Sequence, residues 1–139
     1  TLELLMPDPT PSFLPNRRNI HVLIVDDMPQ VRQDLRLLLE LTGEIKVVGE
    51  AANGLDAIRQ IEALHPDVVV MDLEMPEMDG CQATVALKKM DTAPKVIILT
   101  VHSGLEIEQR VQHSGADALV QKGASFETLM DAILNFKQE

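Results

Sequence analysis

Asp26, Asp27 and Asp72 each stand at the end of a run of aliphatic and β-branched residues. Thr100 closes a fourth such run, and Lys122 follows a fifth. Three carboxylates brought together repel one another, and without a partner at least one would stay protonated. A hard divalent cation removes that conflict. Mg²⁺ prefers oxygen ligands and keeps several of its waters, which suits a shallow, partly open acidic site. Three carboxylates set against one Mg²⁺ and the Lys122 ammonium sum to zero charge, so such a site can receive a dianionic group. A carboxylate can also act as a nucleophile and form an acyl phosphate. Phosphoryl transfer then needs in-line positioning and neutralised equatorial oxygens. Mg²⁺ and Lys122 would supply charge, and the Thr100 hydroxyl a hydrogen bond.

Each residue also has a plainer reading. Asp27 precedes Met28-Pro29-Gln30 and reads as a helix N-cap with a capping box, Pro falling in the first turn. Asp72 and Thr100 read as polar strand ends, and Lys122 as a surface lysine. Asp79-Gly80 reads as turn chemistry and no more. His21, His65, His102 and His113 are too scattered for a metal cluster, and Cys81 reads as a packed thiol. The specific signal is the joint placement after the first, third, fourth and fifth strands.

Five alternating units would position these residues. Strand-like runs are expected at 20–25, 45–49, 68–71, 95–99 and 118–120. The middle runs are nearly continuous in apolar residues, as in strands buried on both faces of a parallel sheet. Between and after them lie helical patterns at 28–42, 53–64, 79–90, 103–114 and 125–137, with apolar stripes such as Val31, Leu35, Leu38 and Leu39. Gly43 and Gly115 sit where helix C-terminal caps are expected. Five β-then-α units with right-handed crossovers predict a doubly wound α/β sheet with helices on both faces. Sites on such sheets form at the carboxyl ends of the strands, where all five residues fall.

Residues 1–19 differ. They hold Pro7, Pro9, Pro11 and Pro15, a density that forbids helix and sheet interiors, so a flexible or extended arm is expected there and a single domain over 20–139. The net charge of −10 would repel a phosphate backbone, so direct nucleic-acid or anionic-membrane binding is not expected of this chain. With one cysteine no internal disulfide forms, no apolar run reaches membrane-span length, and a cytoplasmic setting is expected.

The segments Val22-Leu23-Ile24-Val25-Asp26-Asp27, Val70-Met71-Asp72-Leu73-Glu74-Met75-Pro76-Glu77-Met78-Asp79-Gly80, Ile98-Leu99-Thr100 and Gly115-Ala116-Asp117-Ala118-Leu119-Val120-Gln121-Lys122 resemble the receiver domain of two-component response regulators. The resemblance covers residues 20–137. Val48-Gly49-Glu50-Ala51-Ala52-Asn53-Gly54 leans toward receivers that precede a helix-turn-helix effector. The resemblance implies a flavodoxin-like (βα)5 fold with strand order 2-1-3-4-5. It implies Asp72 as phosphoacceptor, and Mg²⁺ held by Asp26, Asp27, Asp72 and the backbone carbonyl of Glu74. Lys122 would contact the phosphoryl group and Thr100 would turn inward to bond it. The donor would be a phosphohistidine on a sensor histidine kinase or phosphotransfer protein. An effector domain outside this chain and a homodimer on phosphorylation are further expectations. Leu119 stands where the family usually has an aromatic switch residue. Glu74 and His102, two residues past Asp72 and Thr100, are expected to border the path of attacking water and tune hydrolysis.

The function so expected is a phosphorylation-switched signalling module that catalyses only its own phosphorylation and dephosphorylation, not an enzyme on an external metabolite. The alternative is a receiver-like module that binds proteins without phosphorylation. Loss of an acid or of the lysine would favour that alternative, and neither is lost. A hydrolase with an Asp nucleophile would need a substrate-enclosing cap, and no insertion is long enough to build one.

Overall fold

A computed structural model of the chain describes residues 19–136. The proline-rich arm expected over residues 1–19 lies outside the described residues, apart from Asn19. Five strands alternate with five helices in the order β1 (Ile20–Val25), α1 (Pro29–Glu40), β2 (Ile45–Ala51), α2 (Gly54–Leu64), β3 (Val68–Asp72), α3 (Gly80–Leu87), β4 (Lys95–Thr100), α4 (Leu105–His113), β5 (Ala118–Gln121) and α5 (Phe126–Asn135). All pairings are parallel and the strand order is β2-β1-β3-β4-β5, as expected.

Side chains alternate across a strand, so the sheet carries two apolar layers. Leu23, Val25, Val69, Met71, Val96 and Ile98 face one layer, covered by α2, α3 and α4 through Ala57, Ile61, Ala83, Leu87 and Val111. Val22, Ile24, Val68, Val70, Ile97 and Leu99 face the other, covered by α1 and α5 through Leu39, Leu129, Met130 and Ile133. β3 is buried at every residue, which explains its unbroken apolar run. Leu, Ile, Val, Met and Ala fill most of both layers, and Phe126 and Phe136 pack at the margin of the second.

The β1–β2 pairing contains one irregularity. Val22 is opposite Val47 and Leu23 is opposite Gly49, which leaves Val48 as an extra residue in β2.

Two local expectations change. The N-cap of α1 is Met28, in an extended conformation, and no side chain caps the helix. Asp27 is therefore not the cap. The turn is closed by Asp26, whose Oδ1 accepts the Met28 N–H at 2.9 Å. Asp79-Gly80 is more than a turn. Asp79 caps α3 and forms a reciprocal capping box with Gln82. A Cβ on Gly80 would stand 2.5 Å from the Asp72 carbonyl oxygen, so only glycine lets α3 begin against the end of β3.

Candidate phosphoacceptor site

The carboxyl ends of β1 and β3 are neighbours in the sheet, and this brings Asp26 and Asp27 to Asp72. Each of the three offers a carboxylate oxygen within 4.8 Å of the others. Asp26 and Asp72 are buried, and Asp27 is exposed at the rim. β5 ends beside β4, and the loop after it carries Lys122 back over the same edge. Its Nζ lies 3.1 Å from Asp72 Oδ1 and 3.6 Å from Asp26 Oδ2. The placement expected for these four side chains is thus the placement found.

Asp72 Oδ1 also faces the backbone N–H of Glu74, a long contact at 3.4 Å. Burial pushes the Asp72 carboxyl above its ordinary range. Lys122 pulls it back, the Asp26 charge adds to the rise, and burial wins. Burial acts on the Lys122 ammonium in the opposite sense and would lower it. The hydrogen bond that Lys122 donates to Asp72 and the two carboxylate charges outweigh that, so Lys122 sits above its ordinary value.

Asp26 Oδ2 is the one buried side-chain oxygen or nitrogen among the described residues that has no hydrogen-bond partner. Lys122 Nζ at 3.6 Å gives it a charge partner but no hydrogen bond, and a buried oxygen left so has coordination capacity to spare. A hard cation can use it. The donor set is all oxygen, two of its members are fixed by burial, and the third is open to solvent. This fits Mg²⁺, which demands few protein ligands and retains water. The residues present therefore suit the ion that the sequence led us to expect.

Thr100 reaches the same edge and is buried, but its hydroxyl accepts the His102 N–H at 3.0 Å and so closes its own loop. Glu74 and His102 meet directly as a carboxylate–imidazole pair on the exposed side of the cleft. Leu119 is half-buried on the layer that α4 covers. Ile107 is half-buried there too and Val111 fully buried, while Phe126 packs in the opposite layer with α5.

Three features escaped the sequence. Gly80 lies directly beneath Asp72. Asp79 is ion-paired with Arg110, which ties the start of α3 to α4. Arg32 donates to the backbone carbonyl of Asp26. Only the last left a signal: a cation close to a helix N-terminus runs against the helix dipole and implies a tertiary partner.

Among the described residues no helix is long and apolar enough to cross a membrane. The family model for the response regulator receiver domain matches residues 22–134. The response regulator UvrY of Escherichia coli K12 is 40% identical over 114 residues, covering 82% of this chain and 52% of that protein. The transcriptional regulatory protein YdfI of Bacillus subtilis is 40% identical over 116 residues, covering 81% of this chain and 54% of that protein. This chain thus spans about half the length of the curated relatives it matches. The signal receiver domain of the response regulator NarL from Mycobacterium tuberculosis superposes with a TM-score of 0.82 at 30% identity, covering 87% of this chain and 98% of that one. Fold, acidic edge and sequence agree, and the chain belongs to the response regulator receiver domain family.

Proposed function

We propose that this receiver accepts a phosphoryl group on Asp72 in a Mg²⁺-dependent reaction and thereby switches a signalling output. The observation that carries this reading is Asp26 Oδ2: buried, without a hydrogen bond, and 3.6 Å from the same ammonium that holds Asp72.

The Asp72 carboxylate attacks phosphorus, and the bond from phosphorus to the donor imidazole nitrogen breaks. The nitrogen keeps the bonding electrons, and the product is an acyl phosphate. Lys122, already 3.1 Å from Asp72, neutralises charge on the transferred group. Asp26 and Asp27, with Asp72 and the Glu74 carbonyl, would hold Mg²⁺, which would supply the remaining neutralisation of the phosphoryl oxygens. Thr100 gives up its loop hydrogen bond and donates its hydroxyl to the phosphoryl group. Leu119, behind it on the α4 side, follows into the space vacated. Glu74 and His102 border the approach of water and set the lifetime of the acyl phosphate.

The donor is a phosphohistidine on a sensor histidine kinase or phosphotransfer protein, and the setting is the cytoplasm. The output belongs to an effector domain outside this chain. The half-length match to relatives, one of them named a transcriptional regulatory protein, favours a DNA-binding effector. A homodimer formed on phosphorylation is the expected assembly. Incubation with Mg²⁺ and acetyl phosphate tests the reading. A mass gain of one phosphoryl group that disappears in Asp72→Asn supports it; the same gain in that variant overturns it.

A further inference from the structure

The acid pair after β1 is gripped from outside the cleft. Arg32, near the start of α1, points its guanidinium back toward the sheet. Its Nη1 donates to the Asp26 carbonyl oxygen at 2.7 Å, and its Nε donates to Glu50 Oε1 at 3.1 Å. Glu50 lies on β2 and is itself held. Its Oε2 accepts from Arg36 Nη1 at 2.6 Å, while Arg36 Nη2 donates to the Val47 carbonyl at 3.1 Å. On the other side of β2, Gln60 Nε2 donates to the Glu50 carbonyl at 2.8 Å. The Arg32 and Glu50 side chains are 17% and 22% exposed, so the pair is mostly withdrawn from solvent. A planar guanidinium with donors in a fixed fork can hold two acceptors at set angles, which an ammonium cannot.

The carbonyl that Arg32 grips belongs to the peptide joining Asp26 to Asp27. Asp26 is aimed by burial and by the Met28 N–H. Asp27 is exposed, so its direction depends on that peptide. We infer that Arg32, braced by Glu50, is a positioning residue for the metal-binding acid pair, fixing the Asp26–Asp27 peptide so that Asp27 faces the cleft. This inference rests on the Mg²⁺-dependent reading of the site.

Charge and position make opposite demands here, and that makes the inference decidable. A guanidinium close to the acid cluster repels a divalent cation, and Glu50 offsets part of that repulsion. If Arg32 mattered only through charge, removing it would tighten Mg²⁺ binding. If it aims Asp27, removing it weakens binding. Loss of an outer partner of a metal ligand weakens affinity by roughly tenfold or more.

The test is calorimetric titration of the full chain with Mg²⁺, together with the Mg²⁺ dependence of acetyl phosphate labelling. Arg32→Gln should raise the Mg²⁺ dissociation constant by roughly tenfold. Its labelling rate should return close to that of the unaltered protein at saturating Mg²⁺, because the acceptor and Lys122 are untouched. Arg32→Lys keeps the repelling charge without the fork and should raise the dissociation constant as well. Glu50→Gln loosens the brace and leaves the cation less neutralised, so it should also weaken binding. An Arg32→Gln protein that binds Mg²⁺ as tightly as the unaltered chain, or more tightly, overturns the inference. Should that variant not fold, Arg32→Lys and Glu50→Gln decide the matter, and unchanged affinity in both overturns it. If the unaltered protein binds no Mg²⁺, the metal reading falls and the inference with it; if it binds and only the variants match it, the inference alone falls.

Discussion

The Lys122 ammonium stands 3.1 Å from Asp72 Oδ1, and burial holds that carboxyl above its ordinary range in spite of it. The sign of the consequence is fixed by linkage. A carboxyl that titrates higher in the folded chain than in the unfolded one stabilises the fold while it is protonated. That contribution is complete below the ordinary carboxylate range and is lost as pH rises through the raised folded value. Without Mg²⁺, unfolding free energy should therefore carry a component from Asp72 that falls with pH over this window. Denaturant titrations across a pH series, run beside Asp72→Asn, isolate that component. An identical pH slope in the variant would show that burial does not tune Asp72.

Asp27→Ala should weaken Mg²⁺ binding by a large factor and cost almost no stability. Met28, not Asp27, is the N-cap of α1, so the ~1 kcal/mol attached to losing a capping side chain does not apply. The change in unfolding free energy should stay within about 0.5 kcal/mol, as for exposed substitutions generally. A loss above 1 kcal/mol would mean that Asp27 caps the helix in solution.

Gly80→Ala tests the contact beneath the acceptor. Its Cβ would meet backbone, the Asp72 carbonyl and the Leu73 Cα, and not a movable side-chain tip. Destabilisation of about 1–3 kcal/mol is expected, the range for overpacking. Acetyl phosphate labelling should fall as well, because relief of the clash displaces Asp72. Full labelling in a destabilised variant would separate the packing role from the chemical one.

Glu74 and His102 should act as one unit on the lifetime of the acyl phosphate, because their side chains pair directly. Glu74→Ala and His102→Ala should each change the decay rate, and the double variant should match the singles instead of summing them. Additive effects on decay would mean that the two border the water path independently.

Two structural links lead from the site to α4. One is the space beside Thr100 and Leu119; the other is the Asp79–Arg110 ion pair, which joins the start of α3 to α4. Beryllofluoride with Mg²⁺ should shift amide resonances across residues 100–123, including Arg110. Arg110→Ala should shrink the response in α4 and spare that at Thr100. Perturbations confined to the loops at Asp26 and Asp72 would exclude both routes.

The parts of this molecule that announce themselves in sequence are those set by local periodicity. β3 is buried at every residue and therefore reads as unbroken Val-Val-Val-Met, and Asp72 is conspicuous because it ends that run. Gly115, with φ of 93° after Ser114, was likewise visible as the residue that lets α4 stop. The Asp27 cap was misread because Asp and Ser types before a proline score as caps on propensity, and propensity does not register that the neighbouring Asp26 already closes the turn. Arg110 and Asp79 are 31 residues apart, and Arg32 and Glu50 are 18 apart. Contacts at such separations exist only once the sheet is assembled, so no local pattern names the partners; Arg32 alone, a cation near the start of α1, signals that it has one.

The extra residue in β2 has a consequence for strand pairing. Parallel partners share a face, and side chains alternate along a strand. Val47 pairs with Val22 on the α1 side, so strict alternation would carry Gly49 to that side and turn Glu50 toward α2. Val48 breaks the count: Gly49 pairs with Leu23, and Glu50 pairs with Ile24 on the side where Arg32 and Arg36 wait. Flattening the bulge, so that Val48 paired with Leu23, would reverse which face the end of β2 shows, stranding a carboxylate against α2 and two guanidinium groups without it. The spare residue is thus absorbed by the bulge, and what connects the acid pair to its support is the pairing of Gly49 with Leu23: a slip of that pairing by one residue would turn Glu50 away from Arg32 and Arg36.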